Sequence, residues 1–160
     1  MGATSKADES AVSHVVDEAL DIYGEKVEEL VPILTRVNRE YGYLAPEALA
    51  QISKRLRIPQ ARVHAVASFY HMLFTQPVGQ HVVKFCESAP CHVIGGREVW
   101  AVLQDELKLS AGETSQDGKW TLLTTSCLGL CDEGPVIMVD EDIHLHVSPE
   151  QIPQILAKYQ

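Results

Sequence analysis

The residues best suited to act together chemically are four cysteines in two pairs: Cys86 and Cys91 with four residues between them, Cys127 and Cys131 with three. Four thiolates can hold a 2Fe–2S cluster or a single zinc ion, and the spacing within the pairs leaves both open. A Rieske centre needs two histidines among its ligands, and only His92 is adjacent. Thiol–disulfide exchange favours two cysteines separated by two residues, which neither CESAPC nor CLGLC provides. Four unrelated buried cysteines are the bland reading, since a free cysteine packs as a small hydrophobe. Against it, each pair directly follows an apolar run of strand type, where a loop presents functional groups on a rigid support. Gly129 and Gly134 flank the second pair and, lacking a Cβ, would let backbone N–H groups approach the sulfurs.

The surrounding chain limits what that site can serve. A net charge of -9 argues against nucleic acid and anionic membrane as partners, because phosphate backbones reward clustered Lys and Arg. No apolar run approaches the roughly 18 to 20 residues that span a bilayer, and residues 1–10 lack the basic and apolar regions of a signal peptide. The expectation is a soluble, cytoplasmic protein with no direct membrane insertion. In that compartment the cysteines stay reduced, which favours metal binding over structural disulfides.

The elements that must position the cysteines fall into two halves. Residues 1–10 read as a disordered N-terminus, 11–79 as a helical segment and 80–160 as a separate domain. In the first half, Val27, Leu30, Val31, Leu34 and Val37 recur at helical spacing. A second helix opens at Pro46 and carries Leu49, Ile52 and Leu56. A third opens at Pro59, carries Val63, Val66, Ala67 and Tyr70, and ends near Pro77 and Gly79. After Gly79 the period changes: His81–Phe85 reads as a strand stopping at Cys86, residues 96–109 as a helix, and Trp120–Thr125 as a strand entered from an Asp117-Gly118 turn. Residues 136–139 and 143–147 form a hairpin around Asp140-Glu141-Asp142, and Ser148 to Gln151 resembles a capping box before a terminal helix. The fold class is therefore α+β or α/β: a helical bundle, then a roughly four-stranded mixed sheet flanked by helices.

Other chemistry-bearing residues have simpler readings. His144 and His146 lie two apart in a strand and would share a face as a metal pair or as exposed edge residues. His64 and His71 read as hydrogen-bonded structural histidines, and Phe69, Tyr70, Met72 and Phe74 as core packing, with an interface role as the alternative. Asp132, Glu133, Asp140, Glu141 and Asp142 read as a solvated acidic surface near the second pair, where like charge would lower a cluster's potential. No residue is nominated as catalytic. There is no GxGxxG turn or phosphate-binding loop, so no nucleotide site is expected on this chain.

The segments FCESAPCHVIGG and GETSQDGKWTLLTTSCLGLCDEGPVIMVDEDIHLHVSPEQIPQIL closely resemble the thioredoxin-like 2Fe–2S ferredoxin family. Upstream, REYGYLAPEALAQISKRLRIP and VHAVASFYHMLFTQPVG resemble the helical part of the E subunits of bacterial respiratory complex I, the NADH:quinone oxidoreductase. The resemblance covers about residues 28–158 and implies a thioredoxin-like fold for the second half. It also implies one 2Fe–2S cluster on Cys86, Cys91, Cys127 and Cys131. It further implies an electron-transfer role beside a partner subunit that binds FMN and NADH, among further iron–sulfur subunits, on the cytoplasmic side of the inner membrane. Equivalent diaphorase subunits of NAD-reducing hydrogenases and NAD-dependent formate dehydrogenases share the pattern. The alternative from a different class is a zinc-stapled interaction module without redox activity.

Overall fold

The structure is a computed structural model that describes residues 6–159. The chain divides into two compact units, residues 1–77 and 78–160. The disorder expected for residues 1–10 falls partly outside the described residues, and from Lys6 onward the backbone is helical.

The first unit consists of helices α1 (Lys6–Tyr23), α2 (Leu30–Tyr41), α3 (Pro46–Leu56) and α4 (Gln60–Phe69). Each buries one stripe. Val12, Val16, Ala19 and Leu20 of α1 join Leu30, Ile33, Leu34 and Val37 of α2, Ala48, Leu49, Ile52 and Leu56 of α3, and Val63 and Ala67 of α4 in one core. Burying a side chain of that size contributes roughly 1.5–3 kcal/mol. Pro32 lies in the first turn of α2 and Pro46 opens α3, where a missing N–H costs no helical hydrogen bond. Helix α4 ends sooner than expected: Tyr70 has extended backbone and Leu73 N–H turns back to the Tyr70 carbonyl. Phe69 and Met72 are therefore not core residues but lie 77% and 59% exposed. His64 and His71 are likewise exposed rather than built into the helix packing. Among the described residues no helix is long and apolar enough to cross a membrane.

The second unit is a five-stranded mixed sheet in the order β2-β3-β1-β4-β5. Its strands are β1 (His81–Cys86), β2 (Glu113–Thr114), β3 (Trp120–Thr125), β4 (Ile137–Val139) and β5 (Asp142–His144). Strand β1 pairs in parallel with β3 and antiparallel with β4, so it is central. Between β1 and β3 the chain makes the one-turn helix α5 (Ala89–Cys91), a turn at Ile94–Gly95 and helix α6 (Arg97–Leu107). After β5, a 3₁₀ turn with a Ser148–Gln151 capping box leads into α7 (Ile152–Leu156). Val83, Phe85, Val99, Leu103, Leu122, Ile137, Val139 and Ile152 form the core of this unit.

Two local arrangements differ from the expectation. The unforeseen strand β2 is the other arm of the hairpin whose turn holds Asp117-Gly118; there the Asp117 carboxylate accepts the Ser115 hydroxyl and the Lys119 N–H. At two residues, β2 is too short to show an alternating pattern. Strand β5 stops at His144 because His146 takes a left-handed conformation (φ 49°) and its N–H bonds the Glu133 carbonyl.

Candidate functional site

Parallel pairing is what makes the cysteines neighbours. Strands β1 and β3 run in the same direction in register, ending with Cys86 opposite Thr125, so both following loops emerge from one end of the sheet. Cys86 is the last residue of β1, Cys91 closes α5, and Cys127 and Cys131 lie in the loop between β3 and β4. The ladder continues past the strand ends: Glu87 N–H bonds the Thr125 carbonyl at 3.0 Å and Cys86 N–H the Val136 carbonyl at 3.2 Å. These bonds fix the roots of both loops.

The two pairs differ in depth. Cys86 and Cys91 are each 1% exposed and pack with Val136 between Leu128 and Leu130, whereas Cys127 and Cys131 are exposed. Within the outer pair the sulfurs lie 3.0 Å apart, and the Gly129 N–H reaches Cys127 Sγ at 3.3 Å. The hydrogen bond from Cys131, then the Gly129 N–H, hold the Cys127 thiol below the usual range, with Ser88 and the Leu130 amide adding to the effect. Cys131, which gives its proton to that bond, is pushed up to about 11, first by Cys127 and further by partial burial and charge at Cys91 and Cys86. Burial pushes Cys91 up, followed by its hydrogen bond with Cys86 and by charge at Cys86 and Cys127; the Val136 amide opposes this. Cys91 and Cys131 thus each feel sulfur charge from the opposite loop.

Glycines set the spacing around the inner pair. A Cβ on Gly96 would lie 2.5 Å from the Cys91 carbonyl oxygen and 2.8 Å from its carbon, so α6 can start against Cys91 only with glycine there. A Cβ on Gly134 would lie 3.1 Å from Cys91 Sγ, so that glycine supplies space beside the sulfur. Gly129 has φ 84°, a conformation that a side chain disfavours, and it aims its N–H at Cys127. Gly129 and Gly134 stood out in the sequence by their position; Gly96 read only as the start of a helix, since its contact with Cys91 exists only once α5 and α6 are folded.

The two cysteine pairs stand on adjacent loops at one end of the sheet, and four thiolates are the donor set that a 2Fe–2S cluster takes. Hydrogen-bond donors on the outer sulfurs and an apolar enclosure of the inner pair suit a group with excess negative charge.

The other candidates do not join this site. His144 bonds the Tyr159 hydroxyl at 3.0 Å, while His146 pairs with Glu133, so the two histidines do not share a face. Asp140, Glu141 and Asp142 are near the second cysteine pair only in sequence, because β4 runs antiparallel to β1 and carries them to the far end of the sheet. There Asp140 accepts His81 Nδ1–H at 2.7 Å and Val82 N–H at 2.8 Å, and Asp142 accepts the Tyr159 hydroxyl at 2.8 Å. Asp132 is the exposed acid of the cysteine loop, beside the paired Glu133.

A fold of this topology with paired cysteines on two adjacent loops defines a class, and the comparisons agree. The family model of the thioredoxin-like [2Fe-2S] ferredoxins matches residues 16–160, and the chain belongs to that family. Relatives include the E subunit of the NADH-quinone oxidoreductase of Escherichia coli strain K12, 39% identical over 155 residues, covering 97% of this chain and 91% of that protein. Its counterpart of the same name from Pseudomonas aeruginosa is 34% identical with the same coverage. Among solved structures, an NAD+-reducing [NiFe]-hydrogenase in the H2-reduced state superposes with a TM-score of 0.71 at 23% identity, over 82% of this chain and 22% of that one, a likeness of fold.

Proposed function

We propose that this chain is the electron-transfer subunit of the NADH dehydrogenase module of a respiratory complex I, with one 2Fe–2S cluster held by Cys86, Cys91, Cys127 and Cys131. The observation that carries the reading is the meeting of two cysteine pairs at one end of the sheet, one buried and one exposed, in a chain similar over nearly its whole length to the E subunits of NADH-quinone oxidoreductases. When bound, such a cluster supplies one-electron oxidation and reduction. The residues of this chain bind and shield it: Cys86 and Cys91 with Val136 form the dry side, and Cys127 and Cys131, with the Gly129 N–H, form the side open to a partner.

The hydride chemistry belongs to a partner subunit carrying FMN and NADH, with further iron–sulfur subunits completing the path, peripheral on the cytoplasmic side of the inner membrane. Purified protein should be red-brown, with two irons and two acid-labile sulfides per chain and a rhombic paramagnetic signal on reduction. A colourless protein with one zinc would instead mark a stapled interaction module. Cys127→Ser should lower cluster content severely and reduce the amount of assembled complex at least as much as its NADH oxidation rate. A fully assembled complex without this cluster would contradict the assignment of its role.

A further inference from the structure

Helix α4 is apolar on two sides. Val63 and Ala67 face the helical core, while Ala61, Ala65 and Phe69, four residues apart and so on one stripe, lie exposed. A helix that is apolar all round is ordinarily covered all round. Two large apolar side chains stand at its C-terminal end, Phe69 at 77% and Met72 at 59% exposure. Both are held from behind. The Phe69 ring meets Tyr70 edge to face with 5.2 Å between centroids, and Tyr70 packs on the helical core. The turn that carries Met72 is fastened to α2 through Asn38, whose side chain accepts the Phe74 N–H at 2.7 Å and donates to the Met72 carbonyl at 3.4 Å. Large apolar groups fixed in place without cover lose little freedom on binding, which suits the anchors of an interface.

The charge around these anchors indicates the chemistry of what covers them. The chain has 22 Asp and Glu, yet none falls between Glu47 and Glu87, the stretch that holds α4 and the basic end of α3. Arg55 pairs with Asp17 and Glu25, whereas Lys54, Arg57 and Arg62 stand exposed. Arg62 lies two turns before Phe69 on the same side of α4. An apolar stripe with a cationic margin, in a chain of net charge -9, complements an apolar surface with an acidic margin. We propose that the outer face of α4 is the docking site of a neighbouring protein subunit that offers an apolar cleft rimmed by carboxylates. Phe69 and Met72 fill the cleft, and Arg62 meets its acids. This rests on the reading of the chain as one subunit of a larger complex.

The test uses the assembled complex. Phe69→Ser, Met72→Ser and Arg62→Glu should each leave the melting temperature and iron content of the isolated full-length chain close to wild type, because these side chains are exposed. Each should nevertheless weaken the chain's hold on the complex by about tenfold, read as the concentration at which half of the complexes have lost the chain on dilution. Arg62→Lys should stay within about twofold of wild type, and added salt should loosen wild type more than Arg62→Glu. A photo-crosslinking phenylalanine analogue at position 69 should attach to an acidic stretch of another subunit, which upholds the proposal. A crosslink confined to residues 78–160 of the same chain, or to a second copy, overturns it. So does a hold on the complex that is indifferent to Phe69→Ser or to Arg62→Glu, and in each of these cases the subunit reading still stands. A wild-type chain that joins no larger complex overturns both.

Discussion

Close to the sulfurs, small atoms decide the geometry. At Gly96 an added methyl would meet the Cys91 carbonyl group at 2.5 and 2.8 Å, and both atoms are backbone that no side-chain rotation can clear. Overpacking of this kind costs about 1–3 kcal/mol. Gly96→Ala is therefore expected to melt at lower temperature and to carry less iron per chain than wild type, as calorimetry and metal analysis would show; a variant with full iron and unchanged melting would refute the contact's importance. At this scale the four cysteines were legible from residue type and spacing. Gly96 was not, because it acts on the backbone of Cys91, which only folding brings against it. The acidic run was misplaced for the same reason, since a hairpin carries Asp140 away from its sequence neighbour Asp132.

Among the elements, α6 and the terminal helix hold the sheet that presents both loops. Leu103 of α6 is fully buried, and Leu103→Ala should lose roughly 2–5 kcal/mol, measurable as a lower denaturant midpoint. The terminal helical segment is fastened by polar contacts. Tyr159 gives its only hydroxyl proton to Asp142, so His144 Nε2 must be the donor in its contact with the same oxygen. Burial, then the charge of Lys158, holds the His144 pKa below its ordinary value despite Asp142. A histidine depressed in the fold contributes stability above its unfolded pKa of about 6.5 and loses it as pH falls through the lower folded value. Between pH 7.5 and 5, wild type should thus lose more melting temperature than His144→Gln; equal losses would count against this account. Helices were readable here because their apolar periods are long. Strand β5 read too long because nothing local in Leu145 and His146 signals the bond to Glu133 that turns the chain away.

Among the described residues the two units keep separate main cores, one in residues 1–77 and one in 78–160. All four cysteines belong to the second. A fragment of residues 78–160 is accordingly expected to fold and, on the proposed function, to bind two irons and show their colour, tested by absorbance and metal content; a colourless, unfolded fragment would show that this unit does not fold without the helical half. In the sequence the change of period falls after Gly79, whereas the depth of each cysteine did not show there. That difference in depth bears on biogenesis. Cys86 and Cys91 are sealed once Val136 and its strand have joined the sheet, so on the proposed function a chain emerging from the ribosome would complete its ligand set only when nearly all of it has been synthesised. On the proposed function, iron and sulfide delivered to the finished fold would reach the site from the side where Cys127 and Cys131 stand open to solvent, and a neighbouring protein docked over that face before loading would block them.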